Sequence, residues 1–118
     1  MTLGVVTITV DSTDPLPLAQ WWAARFGAEI VAENDGWFVV VAGGTLHTQL
    51  AFQKVGEVTP GKNRWHLDLT ADDRAAAVSE LVAAGATDAG EQSSGDFTWS
   101  VLIDPQGNVF CVAPADAH

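Results

Sequence analysis

The residues with the clearest chemical potential lie in the second half of the sequence. His66 and Asp68 are separated by one residue, so on a strand both side chains project from the same face. An imidazole and a carboxylate on one face can act as a base and its partner in proton abstraction or isomerisation. At this spacing their Cβ atoms stand about 7 Å apart, which leaves direct pairing open.

Cys111 is the single cysteine of the chain, so no internal disulfide can form. A lone thiol suits a reducing compartment. Because no activating base stands beside Cys111 in the sequence, we predict an inert, half-buried thiol rather than a nucleophile. Most of the five tryptophans are expected in the core, while Trp37 and Trp99 are candidates for the edge of a pocket.

Composition excludes several classes of partner. The chain has 118 residues, and its five Lys and Arg against fifteen Asp and Glu give a net charge of −10, which disfavours a phosphate backbone as ligand. An acidic cleft would instead favour a cationic ligand. No basic leader precedes the first apolar run, and no run approaches the ~18 apolar residues of a membrane span, so we expect a cytoplasmic protein.

Hydrophobic periodicity predicts a β-α-β-β-β order in the first half. Asp14 is the expected N-cap of the helix, Pro15 its first residue and Gly27 its stop. Leu18, Trp22 and their neighbours form its apolar stripe. The predicted strands are residues 5–10, 29–32, 37–41 and 46–52.

The same order is predicted again after a polar connector at residues 56–63. A capping box from Thr70 to Asp73 introduces a helix at residues 72–84, and Gly85 ends it. The strands are residues 65–70, 87–91, 97–103 and 109–112, with a tight turn at 104–107. We therefore predict a single domain, 1–118, with module one at 1–57, the connector at 56–63 and module two at 64–118.

The two halves form a degenerate internal repeat. Thr7 falls on His66 with the same offset that places Asp14 on Asp73, whereas Phe52 falls on Phe110 with an offset one residue shorter. This alignment makes Thr7 the counterpart of His66 and Gln53 the counterpart of Cys111. We expect these four positions to meet where two sheets join.

Four segments in this order resemble the vicinal oxygen chelate superfamily, and within it the glyoxalase-like and bleomycin-resistance-like proteins. They are Asp14-Pro15 leading to Trp21-Trp22, and residues 50–55, 63–69 and 102–112. The resemblance covers nearly the whole chain. It implies an α+β fold of two βαβββ modules, a cupped mixed sheet with helices on its outer face, and frequent assembly as a homodimer.

Catalytic members of that superfamily hold a divalent metal with His, Glu or Gln side chains at four equivalent strand positions. Carried over, these positions are Thr7, Gln53, His66 and Cys111. Only His66 keeps a strong ligand type, and Cys111 stands where a carboxylate is expected, so we predict no metal cofactor. A divalent ion at His66 and Gln53, with Asp68 adding a carboxylate, is the weaker hypothesis.

The sequence thus favours metal-independent binding or sequestration of a small cationic or aromatic molecule. The alternative is a metal-dependent lyase, isomerase or dioxygenase, and a third possibility is an interaction protein whose cleft has no ligand. The residues predicted to line the pocket are Thr7, Gln53, His66, Asp68, Trp99 and Cys111.

Overall fold

The computed structural model describes residue 2 and residues 5–61 and 66–115. The chain divides into two compact units, Met1–Thr59 and Pro60–His118, called unit 1 and unit 2 below. Within its described residues, each unit has one α-helix and one four-stranded mixed sheet. The predicted α+β class with two similar modules is confirmed.

The elements of unit 1 are β1 (Thr7–Ser12), α1 (Pro15–Phe26), β2 (Glu29–Ala32), β3 (Phe38–Ala42) and β4 (Gln49–Lys54). The strand order is β1-β4-β3-β2, with β1 parallel to β4 and the other neighbours antiparallel. A short 3₁₀ turn at Asn34–Gly36 lies between β2 and β3.

The signals predicted for the ends of α1 are largely confirmed. Pro15 is its first residue, and Gly27 ends it in the left-handed conformation with φ of 60°. Asp14 occupies the N-cap position without a side-chain cap hydrogen bond; its backbone N–H instead donates to Ser12 Oγ at 3.0 Å. Trp22 is buried, and Trp21 beside it is half-exposed.

The core of unit 1 lies between α1 and the sheet. Val39 pairs with Phe52 and Val41 with Leu50 across β3 and β4, and all four side chains are buried. Burying each side chain of this size contributes about 1.5–3 kcal/mol. These residues alternate with Gln49, Ala51 and Gln53, which therefore lie on the opposite face of β4.

The elements of unit 2 are β5 (Asp68–Ala71), α2 (Arg74–Ala83), β6 (Thr87–Ser94), β7 (Phe97–Ile103) and β8 (Val109–Pro114). The strand order is β5-β8-β7-β6, with β5 parallel to β8. The helix α2 begins one residue after Asp73, whose side chain accepts a hydrogen bond from the Ala76 N–H at 3.0 Å. The predicted capping box from Thr70 is therefore wrong, since Asp73 itself is the cap. Trp65 lies outside the described residues.

One face of the unit 2 sheet packs on α2. Arg74 Nη1 donates to Ser100 Oγ at 2.7 Å, so Ser100 marks the helix side of β7, where Leu102 and Phe110 are also buried. Side chains alternate along a strand, so Val101 and its register partner Cys111 point the other way. We call this side, facing away from α2, the open face of unit 2.

The turn between β7 and β8 holds these two strands in register. The buried Asp104 carboxylate accepts hydrogen bonds from the backbone N–H groups of Gln106 and Asn108 and from Asn108 Nδ2, at 2.9–3.1 Å. Gly107 has φ of 92°, a conformation that favours glycine. The predicted tight turn at 104–107 is confirmed, and its consequence is that Val101 lies opposite Cys111.

The sheet registers correct one part of the predicted repeat. Thr9 pairs with Ala51 in unit 1, and Asp68 pairs with Cys111 in unit 2. With Thr7 on His66, Thr9 falls on Asp68, so the counterpart of Cys111 is Ala51. The predicted match with Gln53 is wrong by two positions, because the segment from the helix to the last strand is one residue longer in unit 2, not one residue shorter.

Among the described residues, no helix is both long and apolar enough to cross a membrane.

Candidate functional site

A cavity of about 410 Å³ lies on the open face of unit 2. It is formed by side chains from all four strands of the sheet and from the segment leading into β5. The lining residues are His66, Asp68, Leu69, Gln92, Phe97, Trp99, Val101, Val109, Cys111 and Ala113.

Backbone pairing brings three of the chemically active residues of this cavity together. Asp68 is the register partner of Cys111 in the parallel pair β5–β8, and the Cys111 N–H donates to the Leu67 carbonyl at 2.9 Å. This bond places Cys111 beside the His66–Asp68 segment, and residues 66 and 68 share a face. We call His66, Asp68 and Cys111 the polar corner of the cavity.

The side chains of the polar corner are close enough to interact. His66 Nδ1 lies 3.1 Å from Asp68 Oδ1, and one donor atom from each of the three residues lies within 4.8 Å of the other two. The pairing of His66 and Asp68 that the spacing left open is therefore present.

The sequence did not indicate that Cys111 has a base in its vicinity. The imidazole comes from the neighbouring strand of the sheet, far from Cys111 along the chain, so only the parallel pairing of β5 with β8 reveals it. Cys111 is half-buried, as predicted.

An aromatic pair forms another part of the cavity lining. The Phe97 and Trp99 rings lie 5.2 Å apart between centroids, tilted by 32°. We call these two residues the aromatic wall. Trp99 was predicted and Phe97 was missed, although Phe97, Trp99 and Val101 alternate along one strand and so share a face. Gln92, the register partner of Trp99 on β6, was also missed.

Of the six predicted pocket residues, the structure brings four together in this cavity: His66, Asp68, Trp99 and Cys111. The other two belong to unit 1, where Thr7 pairs with Gln49 and Gln53 pairs with Asp11. These pairs are four register positions apart, so Thr7 and Gln53 lie roughly 13 Å apart along the strands. The two side chains are not neighbours on their own sheet.

Trp37, the other tryptophan considered for a pocket edge, lies in unit 1. Its side chain is 61% exposed, and Lys54 Nζ lies 5.1 Å from its ring centroid. A cavity of about 200 Å³ elsewhere in unit 1 includes His47 and Gln49 but no phenylalanine or tryptophan. The described residues of unit 1 therefore offer no counterpart of the aromatic wall beside a polar corner.

A family model for the glyoxalase-like domain matches residues 7–113. The chain belongs to the glyoxalase-like domain family. This places it in the vicinal oxygen chelate superfamily, as the sequence resemblance implied. No match is found among curated proteins.

Solved structures support the same fold for this glyoxalase-like chain. A glyoxalase/bleomycin resistance/dioxygenase superfamily member from Sphaerobacter thermophilus is 20% identical, with a TM-score of 0.74 and 96% and 98% of the two chains covered. An antibiotic binding protein from Streptomyces is 22% identical, with a TM-score of 0.71 and 96% of each chain covered. Lactoylglutathione lyase from Agrobacterium tumefaciens is 17% identical, with a TM-score of 0.68 and 98% and 96% covered. At these identities the likeness concerns the fold.

The donors at the superfamily's metal positions do not fit an oxygen-preferring ion. Thr7 offers a hydroxyl, and Gln53 offers a neutral amide but is separated from Thr7 along the unit 1 sheet. Ala51, which the sheet registers match to Cys111, offers no donor atom. Magnesium and manganese favour carboxylate ligands, and none of the four positions carries one. Asp68, the carboxylate beside His66, lies outside the four positions.

Proposed function

We propose that this glyoxalase-like protein binds a small molecule in the cavity of unit 2 and holds it without chemical change. The observation that carries the proposal is the cavity itself, about 410 Å³ with an aromatic wall and one polar corner. Small-molecule sites have this volume and this combination of apolar lining and few polar groups. Recognition by these side chains requires no metal ion.

The charge distribution supports a cationic or aromatic ligand. Asp68 lies at the cavity with its side chain 63% exposed, where a bound ammonium group can reach it. Among the described residues of unit 2 the basic side chain is Arg74, which is bonded on the helix side of the sheet. The net charge of −10 adds a general attraction for cations.

The Streptomyces antibiotic binding protein is consistent with such a role, since it joins this fold to ligand binding. Its low identity to this chain does not carry the ligand over. The proposal therefore rests on the cavity, and the neighbour shows only that binding is compatible with the fold.

Calorimetric titration with matched aromatic pairs tests the proposal. Each pair contains a flat aromatic amine and its neutral N-acetyl derivative, for example tryptamine and N-acetyltryptamine, with a chelator present throughout. We expect the amine to bind about tenfold more tightly, a difference of about 1.4 kcal/mol. Asp68→Asn should remove this difference, and Trp99→Ala should weaken both members of the pair.

Trp37→Ala is the matched control, because Trp37 is an exposed tryptophan of unit 1 and lies outside the cavity lining. It should leave both affinities unchanged. Equal affinities within every pair would remove charge from the proposal. Absence of binding by all aromatic probes, or equal losses in the Trp37 and Trp99 variants, would contradict the site.

The second candidate is the metal-dependent lyase, isomerase or dioxygenase. The observation that favours it is the imidazole of His66, which lies 3.1 Å from the carboxylate of Asp68 at the cavity, an arrangement suited to proton transfer. Recovering bound compounds after incubation distinguishes the two candidates. Sequestration returns the compound unchanged, whereas catalysis returns a product whose formation requires added metal.

A homodimer in the cytoplasm completes the proposal. Val5, Val6 and Ile8, at or just before the start of β1, are exposed in the single chain, and covering them with a second copy would remove apolar surface from water. Sedimentation should give twice the chain mass, and Val6→Asp should shift the protein to the monomer. A monomeric wild-type protein at high concentration would contradict the dimer.

A further inference from the structure

We propose that the ligand of the unit 2 cavity is an elongated aromatic amine with a neutral hydrogen-bonding group at the end away from the amine, and that Gln92 recognises this group. The inference rests on the small-molecule binding proposed above and names the class of ligand. It gives Gln92 the role of a specificity-determining residue.

Gln92 lies on β6, the strand at one edge of the unit 2 sheet, and its side chain projects from the open face. Its register partner is Trp99 on β7, and partners on neighbouring strands share a face. Of the residues of β6, Gln92 alone belongs to the described cavity lining. Cross-strand partners have Cβ atoms about 4.5–5.5 Å apart, so a ring stacked on Trp99 brings its edge within reach of the Gln92 carboxamide.

The Gln92 carboxamide is free to bind a ligand. On the opposite face of β6, the Glu91 carboxylate is bonded to Arg74 at 3.0 Å, and the Ser93 hydroxyl is bonded to the Thr98 hydroxyl at 2.9 Å. The Gln92 side chain is exposed and makes no hydrogen bond to another described residue. Since a carboxamide both donates and accepts, it can bind a hydroxyl or a carbonyl group.

The two polar ends of the cavity lie on the two outermost strands of the sheet. Asp68 is on β5 and Gln92 is on β6, three strand spacings or about 14 Å away. Gly90 is the β6 residue in register with Asp68 through the intervening strands, so Gln92 lies two residues further along β6. Once the reach of both side chains and one hydrogen bond at each end are allowed for, the polar groups of the ligand would stand roughly 8–10 Å apart.

The lining between these two ends suits a flat, uncharged body. The aromatic wall on β7 and the side chains of Val101 and Ala113 lie on this part of the open face. A Cβ added to Gly90 would meet no described atom within 4 Å, so β6 leaves space beside Gln92. The described lining contains no lysine or arginine, and an anionic group at the Gln92 end would therefore lack a charged partner.

Calorimetric titration with hydroxylated tryptamines tests the inference. The probes are tryptamine, 5-hydroxytryptamine and 4-hydroxytryptamine, which share the amine and the ring system. The hydroxyl of the 5-isomer lies far from the amine, whereas that of the 4-isomer lies close to it. We expect 5-hydroxytryptamine to bind about 3- to 10-fold more tightly than tryptamine, because it gains the hydrogen bond to Gln92. The 4-isomer should show no such gain.

Gln92→Leu should abolish the preference for 5-hydroxytryptamine, because leucine has a similar volume but neither a donor nor an acceptor. The affinity for tryptamine itself should be largely unchanged, which also shows that the cavity remains folded. Gln106→Leu is the matched control, since Gln106 is an exposed glutamine of unit 2 in the turn between β7 and β8 and lies outside the cavity lining. It should keep the preference.

Three outcomes would overturn the role of Gln92: equal binding of tryptamine and 5-hydroxytryptamine by the wild type, a preference that persists in Gln92→Leu, or a preference lost equally in Gln106→Leu. In each case tryptamine still binds, and the small-molecule proposal stands. Equal gains for the two hydroxyl isomers would contradict the elongated shape. Absence of binding by all three probes would overturn both the inference and the proposed function.

Discussion

The two units have the same elements in the same order but differ on the sheet face that lies away from the helix. In unit 1 the positions matched to the polar corner are Thr7, Thr9 and Ala51, and Ala51 is fully buried. In unit 2 they are His66, Asp68 and Cys111, which line a cavity. The helix-facing sides are apolar in both units. The helix-facing side of the sheet, which is alike in the two units, therefore has a structural role. The opposite side, which differs between the units, holds the chemically active residues.

The largest expected effect tests the helix-facing cores, which the two units share. Phe52 in unit 1 and Phe110 in unit 2 are each about 1% exposed on the helix side of their sheets. Replacing either by alanine should lower the free energy of unfolding by about 3–5 kcal/mol, because it removes burial and leaves a cavity. Denaturant unfolding measures both losses.

Similar losses for Phe52→Ala and Phe110→Ala would support equal structural roles for the two helix-facing cores. A loss below 1 kcal/mol in one unit alone would break that part of the comparison.

The next prediction enlarges a side chain on the sheet face that lies away from the helix, where the two units differ. Ala51→Leu should destabilise the protein by about 1–3 kcal/mol, because the Ala51 side chain is fully buried and packing resists enlargement. Cys111→Leu extends into a cavity and should change stability clearly less. Thermal unfolding compares the two variants, and aromatic binding should be lost only in Cys111→Leu. Equal destabilisation would mean that the two faces are packed alike.

Much of the fold was predictable because each unit repeats strong local signals. Pro15 and Gly27 delimit α1, the turn at Asp104 joins β7 to β8, and alternation of apolar residues defines β7. These features depend on neighbours in the sequence. The predicted bounds of β1 and β5 were less accurate, because pairing with the distant strands β4 and β8 decides where β1 and β5 begin.

The polar corner was only partly predictable. Its members were named from residue type, but the proximity of Cys111 to His66 arises from parallel pairing between the first and last strands of unit 2. No local pattern encodes that pairing. Gln53 was misplaced because a one-residue difference in the length of the units shifts the register of the last strand, and aligned phenylalanines concealed that shift.

A third prediction uses thiol chemistry to compare the same two positions. Cys111 lines a cavity and should react with a thiol reagent such as Ellman's reagent in the folded protein. In the double variant Ala51→Cys with Cys111→Ser, the thiol occupies a fully buried position and should react at least about tenfold more slowly. Reactivity measured again in denaturant provides the control, where both thiols should react at one rate. Equal rates in the folded proteins would contradict the difference in access.

The smallest expected effect concerns how each helix begins. The first residue of α1 is Pro15, which has no backbone N–H that would need a hydrogen-bond acceptor. At the start of α2, the Asp73 carboxylate accepts a hydrogen bond from the Ala76 N–H at 3.0 Å. Asp73→Ala should therefore lower the free energy of unfolding by about 0.5–2 kcal/mol, while Asp73→Asn keeps an acceptor oxygen and should retain most of it. Asp72→Asn removes the adjacent exposed carboxylate and should change stability by less than about 0.5 kcal/mol. If the Asp72 and Asp73 variants lost stability equally, negative charge near the start of α2, and not the hydrogen bond to the Ala76 N–H, would explain the effect.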